Sequence, residues 1–252
     1  GRVIETKTHQ IDERIYEYAL LGNTGLPLIF LNGFRMNLQT WDKVIPELQD
    51  DGRIFAYNRL GVGNSSRATE DQTASTVIAQ LREFLNSLEL PPPYILVAHS
   101  VGGIYCHYFA QNFPDDVAAV VFVDAAHPEE AEAQQAFKPP LLLYALNEGV
   151  KYVERIFNPY CYSEAESMMR SLHEIASSAS FPAVPVSIVS GKSKMPFVPK
   201  KSFALHLEYQ AKLRELSPQS TAYPAMESGH FPQITEPEIV VTAIRETIAK
   251  IG

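Results

Sequence analysis

Six short apolar runs constrain what this chain can fold into more than any other feature. They are "LPLIFLNG" (26–33), "RIFAYN" (53–58), "PYILVAH" (93–99), "VAAVVFVD" (117–124), "PVSIVSG" (185–191) and "TAYPAMES" (221–228). Each is strand-length, and the first five are apolar without alternation, as in strands buried on both faces. Between them lie segments of helical period. Trp41, Val44, Ile45 and Leu48 share one stripe; Val77, Ile78, Leu81, Phe84, Leu85 and Leu88 share another. Val101, Ile104, Tyr105, Tyr108 and Phe109 form a third, and Val241, Ile244, Ile248 and Ile251 a fourth, with Thr235 and Glu238 spaced as a capping box. Strands and helices in alternation predict an α/β fold: a mostly parallel central sheet with helices on both faces. Val3 to Leu20 alternates apolar and polar residues instead, which predicts an N-terminal antiparallel hairpin.

One interval breaks the alternation. From Ala125 to Pro185 there is helical character and no strand signal. About 60 residues is too long for a plain crossover. The expectation is a helical lid at 126–184, inserted between strands 6 and 7 over the carboxyl edge of the sheet, with residues 1–125 and 185–252 forming the core domain.

Composition excludes several functions. The net charge of −8 leaves no basic face for nucleic acid. No apolar run reaches the roughly 18 residues of a membrane span, and residues 1–20 lack the apolar segment of a secretion signal, so the expected location is cytoplasmic. Two cysteines, Cys106 and Cys161, make no disulfide framework. Neither His-Glu-x-x-His nor a cysteine cluster occurs, so no metal is expected.

Ser100 stands where "YILVA" ends and a helix begins. In open α/β sheets ligands gather at the carboxyl ends of strands. Ala98, Gly102 and Gly103 flank it in "AHSVGG", the small-x-Ser-x-small pattern of a nucleophile elbow, with Ala98 where glycine is more usual. The competing reading is an ordinary serine N-cap, which needs no glycines.

With this segment, "VAHSVGGIYCHYFAQNFPDDVAAVVFVDAAHPEE" resembles the centre of a serine hydrolase of the α/β-hydrolase fold, esterase- or lipase-like. "FLNGF", "YNRLGVGNSSR" and "SGHFPQITEPE" extend the likeness over nearly the whole chain. The resemblance implies that Ser100 is the nucleophile and His230, on the loop after the last strand, the general base. It implies an oxyanion hole from the backbone N–H groups of Phe34 and Val101. Of the other histidines, His99 is assigned to packing, His173 and His206 to helix surfaces, and His127 to the site's lining.

The triad acid is the informative gap. Many relatives carry it after the strand that follows the lid, but "SIVSGKSKMPFVPKK" contains no Asp or Glu. Some branches carry it after the strand that follows the elbow helix, where this chain has Asp124. Asp124 is therefore the expected acid, with Glu129 and Glu130 as alternatives. Asn32, His127, Leu142, Tyr160 and Phe231 are the expected pocket residues. The resemblance implies a cofactor-free carboxylesterase acting on short- to medium-chain, mostly apolar esters. A lactone hydrolase of the same mechanism is the nearest alternative, and a hydrolase-fold receptor with slow turnover is an alternative of another class.

Overall fold

The apolar runs become strands because their side chains find cover on both sides of one sheet. The computed structural model describes residues 3–137 and 141–251, with backbone alone for 141–147. The strands are β1 (Lys7–Ile11), β2 (Arg14–Leu21), β3 (Pro27–Leu31), β4 (Arg53–Tyr57), β5 (Tyr94–His99), β6 (Val117–Val123), β7 (Val186–Gly191) and β8 (Ser220–Ala225). They form one eight-stranded sheet in the order β1-β2-β4-β3-β5-β6-β7-β8. β1 and β2 form the expected antiparallel hairpin and β2 pairs antiparallel with β4; all other pairings are parallel.

One apolar layer joins the sheet to α1 (Ala74–Ser87) and α2 (Gly102–Asn112), through buried Val77, Ile78, Leu81, Phe84, Tyr105 and Phe109. The opposite layer holds Leu38, Trp41, Val44, Ile45, Leu48, Val240 and Ile244. The predicted helix around Trp41 is instead two 3-10 turns, Leu38–Trp41 and Ile45–Leu48, and its four stripe residues are nonetheless fully buried. Pro46 removes a backbone donor inside that stretch, which disfavours a continuous α-helix.

The segment between β6 and β7 carries α3 (Glu130–Ala133), α4 (Leu141–Phe157), α5 (Ser163–Glu166) and α6 (Met168–Ala176). Its second half is tied to the start of α1. Ala74 N–H donates to Ser171 Oγ at 2.8 Å and Ser75 N–H to Glu174 Oε1 at 3.2 Å, so two of the unpaired donors of that helix end are satisfied from the insert. α7 (Lys200–Lys212) follows β7, and α8 (Pro232–Thr235) and α9 (Pro237–Ala249) follow β8. The predicted capping box does not form. Thr235 ends α8 and bonds Ser228 Oγ, while α9 starts on Pro237 with no side-chain cap.

The strand order places the site. β3 connects to β4 on one side, and the chain then crosses back to β5 on the other. The carboxyl ends of β3 and β5 therefore flank a topological switch point, where an open sheet leaves a crevice. Leu31 pairs with Ala98, which sets Asn32 and Gly33 beside His99 and Ser100.

Candidate active site

Ser100 sits in the sharp turn between β5 and α2 with φ of 53°, a left-handed conformation uncommon for a side-chain-bearing residue. The glycines after it are required by close approach. A Cβ on Gly102 would lie 2.3 Å from Leu31 O, and one on Gly103 would lie 2.9 Å from Ala125 Cβ. α2 thus presses against the ends of β3 and β6, and that pressure holds the turn. Ala98 needs no such allowance: its methyl lies buried in the layer under α2. α2 has no side-chain cap, so Ser100 does not serve as one. Its Oγ lies 2.9 Å from His230 Nε2.

His230 reaches back from the loop after β8. Its Nδ1 lies 2.7 Å from Asp124 Oδ2, so Ser100, His230 and Asp124 form one hydrogen-bonded chain. His99, buried behind them, donates from Nε2 to the His230 carbonyl at 2.7 Å and meets the Trp41 ring edge-on. Burial and the adjacent His230 lower the His99 pKa to about 4, so it is a neutral brace for the loop that carries His230.

Asp124 directly follows β6, with φ of 41°, and is 3% exposed. Register explains its reach: His99 pairs with Val123, so the residues after β5 and after β6 stand side by side. Its Oδ1 accepts from Gly191 N–H at 3.1 Å, at the end of β7. Burial disfavours the charged carboxylate, but hydrogen bonds from His206 and His230 outweigh that and hold Asp124 well below the usual carboxylate range. Glu129 and Glu130, the alternatives, do not reach His230; Glu129 is exposed and Glu130 bonds His206.

His206 is the residue that sequence reasoning misplaced. It is not on a helix surface: α7 turns it inward, and its Nε2 lies 3.2 Å from both Asp124 oxygens while Nδ1 lies 2.8 Å from Glu130 Oε2. The signal was the stripe Phe203, His206, Gln210, Leu213, spaced i, i+3, i+7, i+10, which faces inward. Gln210 and Leu213 are buried, and Gln210 bonds Ala125 O and Ser190 Oγ.

Of the predicted oxyanion donors, Val101 directly follows Ser100 and Phe34 lies on the loop after β3. Among the described residues no acceptor takes the N–H of Phe34 or of Val101. A Cβ on Gly33 would lie 3.2 Å from Ser100 Cβ, so the loop after β3 abuts Ser100. Arg59 pins that loop by donating to Asn32 O at 2.7 Å and to Gly33 O at 2.9 Å, while its Nε pairs with Glu164 of α5 at 2.7 Å.

A cavity of about 620 Å³ opens over Ser100. Ile104, Ala131, Met168, Leu172, Phe197 and Phe203 make much of its wall, so α3, α6 and α7 all contribute to it. Of the expected pocket residues, His127 and Phe231 line it. Asn32 does not. It is buried beneath the loop, accepting from Trp41 Nε1 and donating to Tyr57 O, because the buried indole N–H needs an acceptor. Tyr160 also lies outside the wall and packs against the apolar layer under α2. The Leu142 side chain lies outside the described residues.

No group of three or more His, Cys, Asp or Glu among the described residues has metal-site geometry. No described helix is long and apolar enough to cross a membrane.

Comparison with known proteins agrees with this architecture. Residues 27–153 match the family model described as alpha/beta hydrolase fold. The uncharacterized protein YqjL of Bacillus subtilis is 24% identical over 242 residues, covering 94% of this chain and 90% of that protein. Methylesterase 9 of Arabidopsis thaliana is 36% identical over 92 residues, 35% of this chain and 36% of its own length. A thermophilic esterase from Thermogutta terrifontis superposes with a TM-score of 0.64 at 20% identity, covering 98% of this chain and 99% of that one, a likeness of fold. On the family match and the elbow geometry together, the chain belongs to the α/β hydrolase fold family.

Proposed function

We propose that the protein is a serine carboxylesterase working through an acyl-enzyme. The observation that carries this reading is the unbroken Ser100–His230–Asp124 chain at the floor of an apolar cavity. A serine hydroxyl is a weak nucleophile at neutral pH and needs a base in contact. His230 Nε2 accepts the Ser100 proton as Oγ attacks the ester carbonyl. Asp124 takes the Nδ1–H hydrogen bond, fixes the tautomer and stabilises the imidazolium that forms. The Phe34 and Val101 N–H groups receive the oxyanion; one such donor contributes about 3–4 kcal/mol in a well-studied case. His230 then protonates the leaving alcohol, and water repeats the cycle to release the acid. No cofactor enters these steps.

The cavity wall supports uncharged acyl or alcohol groups of short to medium length. The insert at 126–184, which supplies α3 and α6 to that wall, is the proposed lid. A panel of p-nitrophenyl esters graded by chain length, with lactones in parallel, tests the reading. Turnover of short and medium esters that disappears in Ser100→Ala is expected. Turnover surviving in Ser100→Ala, or its absence from every substrate in the wild type, rejects it; the second result favours a binding protein.

A further inference from the structure

Asp124 is shared between two histidines, and only one of them faces Ser100. His230 contacts Oδ2, while His206 Nε2 lies 3.2 Å from both oxygens. The far side of the His206 ring meets a second carboxylate, Glu130, at 2.8 Å. With both carboxylates ionised, each ring nitrogen of His206 faces an acceptor, and an imidazolium donating from both nitrogens satisfies that geometry. We propose that His206 is a positioning residue of the triad: a cation wedged between Asp124 and Glu130 that fixes the Asp124 carboxylate toward His230 and offsets part of its charge, so that Ser100 stays reactive at lower pH than it would without that cation. This rests on reading Ser100, His230 and Asp124 as the triad.

The location of the acid makes room for this role. An acid after β7 would come from the same segment that carries α7. With the carboxylate instead just after β6, Gly191 N–H from β7 and His206 from α7 together close around it. Without His206, Asp124 would have one hydrogen-bonded oxygen at Gly191 and one at His230, and its full charge would act on His230. With His206 present, protonating His230 puts a second cation on the same carboxylate.

The charged and titratable groups around this cluster are few. Asp124 comes from the end of β6 and Glu130 from α3. His230 lies across Asp124, with the neutral His99 ring 4.8 Å from it. His127 packs on Tyr209 of α7, and burial lowers its pKa, so it adds no charge at neutral pH. Burial also opposes the charged form of His206, but hydrogen bonds to Asp124 and Glu130 raise its pKa to about 10, in agreement with the geometry.

The test follows covalent labelling of Ser100 by a fluorophosphonate probe against pH, which needs no knowledge of the natural ester. Removing the cation in His206→Gln is expected to move the acid limb of labelling upward by roughly one pH unit. Glu130→Gln keeps the ring in place but weakens its charge, so the same limb is expected to move by less. In the wild type, nitrogen-15 spectra of the imidazoles are expected to show His206 protonated on both nitrogens through pH 8. An acid limb unmoved in His206→Gln overturns the proposal, and so does a singly protonated His206 at pH 7. If His206→Gln does not fold, the spectra and the Glu130→Gln profile decide the matter. A wild type that is not labelled at all overturns the triad reading, and the inference with it; labelling with an unmoved limb overturns the inference alone.

Discussion

Arg59 and Glu164 form an ion pair with 2.7 Å between Nε and Oε2, their side chains only 4% and 6% exposed. The Tyr105 ring lies 4.8 Å from the guanidinium, and the remaining Arg59 donors hold the carbonyls of Asn32 and Gly33. One buried cation thus joins the loop beside Ser100 to α5 of the insert. Removing its carboxylate strands a buried charge, which costs about 3–5 kcal/mol. Glu164→Ala is expected to lower the melting temperature by roughly 6–20 °C, at about 2–4 °C per kcal/mol for a chain of this size. Arg59→Met with Glu164→Leu, which removes both charges, should recover part of that loss. A single variant melting within about 2 °C of the wild type would show that solvent reaches the pair.

Asp124→Asn is predicted to lower kcat by about four orders of magnitude while KM changes little, because the amide no longer selects the His230 tautomer that leaves Nε2 free to accept. The backbone around position 124 is held by β6 and β7, through Asp124 N–H to Val189 O at 2.7 Å, so circular dichroism should remain that of the wild type. A kcat loss under about tenfold would move the triad acid elsewhere.

Gly102→Ala tests the packing of the elbow. The added methyl meets a backbone carbonyl, Leu31 O, at 2.3 Å, and no side-chain rotation relieves that contact. α2 must lift from β3, at a cost of about 1–3 kcal/mol or more. Because Ser100 is carried on the same turn, the prediction is a loss of both thermal stability and Ser100 labelling rate. A variant that is destabilised but labels normally would detach the nucleophile's position from the α2–β3 contact.

Most of the fold was legible because burial on both faces leaves a plain mark: five strands without alternation cannot be half-exposed. Ser100 and His230 were legible from small neighbours and chain position. Asp124 was legible through an absence, the stretch after β7 that contains no carboxylate. Less legible were the polar residues that point inward. Arg59 and Glu164 lie 105 positions apart, and nothing local to either tells that each neutralises the other. Asn32 looks like a site residue beside Gly33, yet the indole of Trp41 claims its oxygen. His206 falls on an inward stripe whose other members include Gln210, so hydrophobic period alone did not mark the stripe as buried. These residues are placed by partners distant in sequence, and periodicity within one element shows at most which face turns inward, as for His206, and not which partner it meets.

The charge on His206 also gives stability a pH dependence of definite sign. Its ring has a pKa near 6.5 when unfolded and about 10 when folded. Between those values the folded chain binds the extra proton, so this contribution to stability falls as pH rises. It is fully present below about pH 6.5 and lost by about pH 10. Asp124 is shifted the other way, so its contribution appears above its unfolded pKa near 4 and is lost as pH falls. The two overlap between roughly pH 4 and 6.5, where the doubly bonded carboxylate and the imidazolium coexist at no proton cost. Urea midpoints of the wild type and His206→Gln at pH 6, 8 and 10 should therefore converge as pH rises, with the widest gap at pH 6. A gap that stays constant, or that widens toward pH 10, would mean that His206 is held in the fold as a neutral ring.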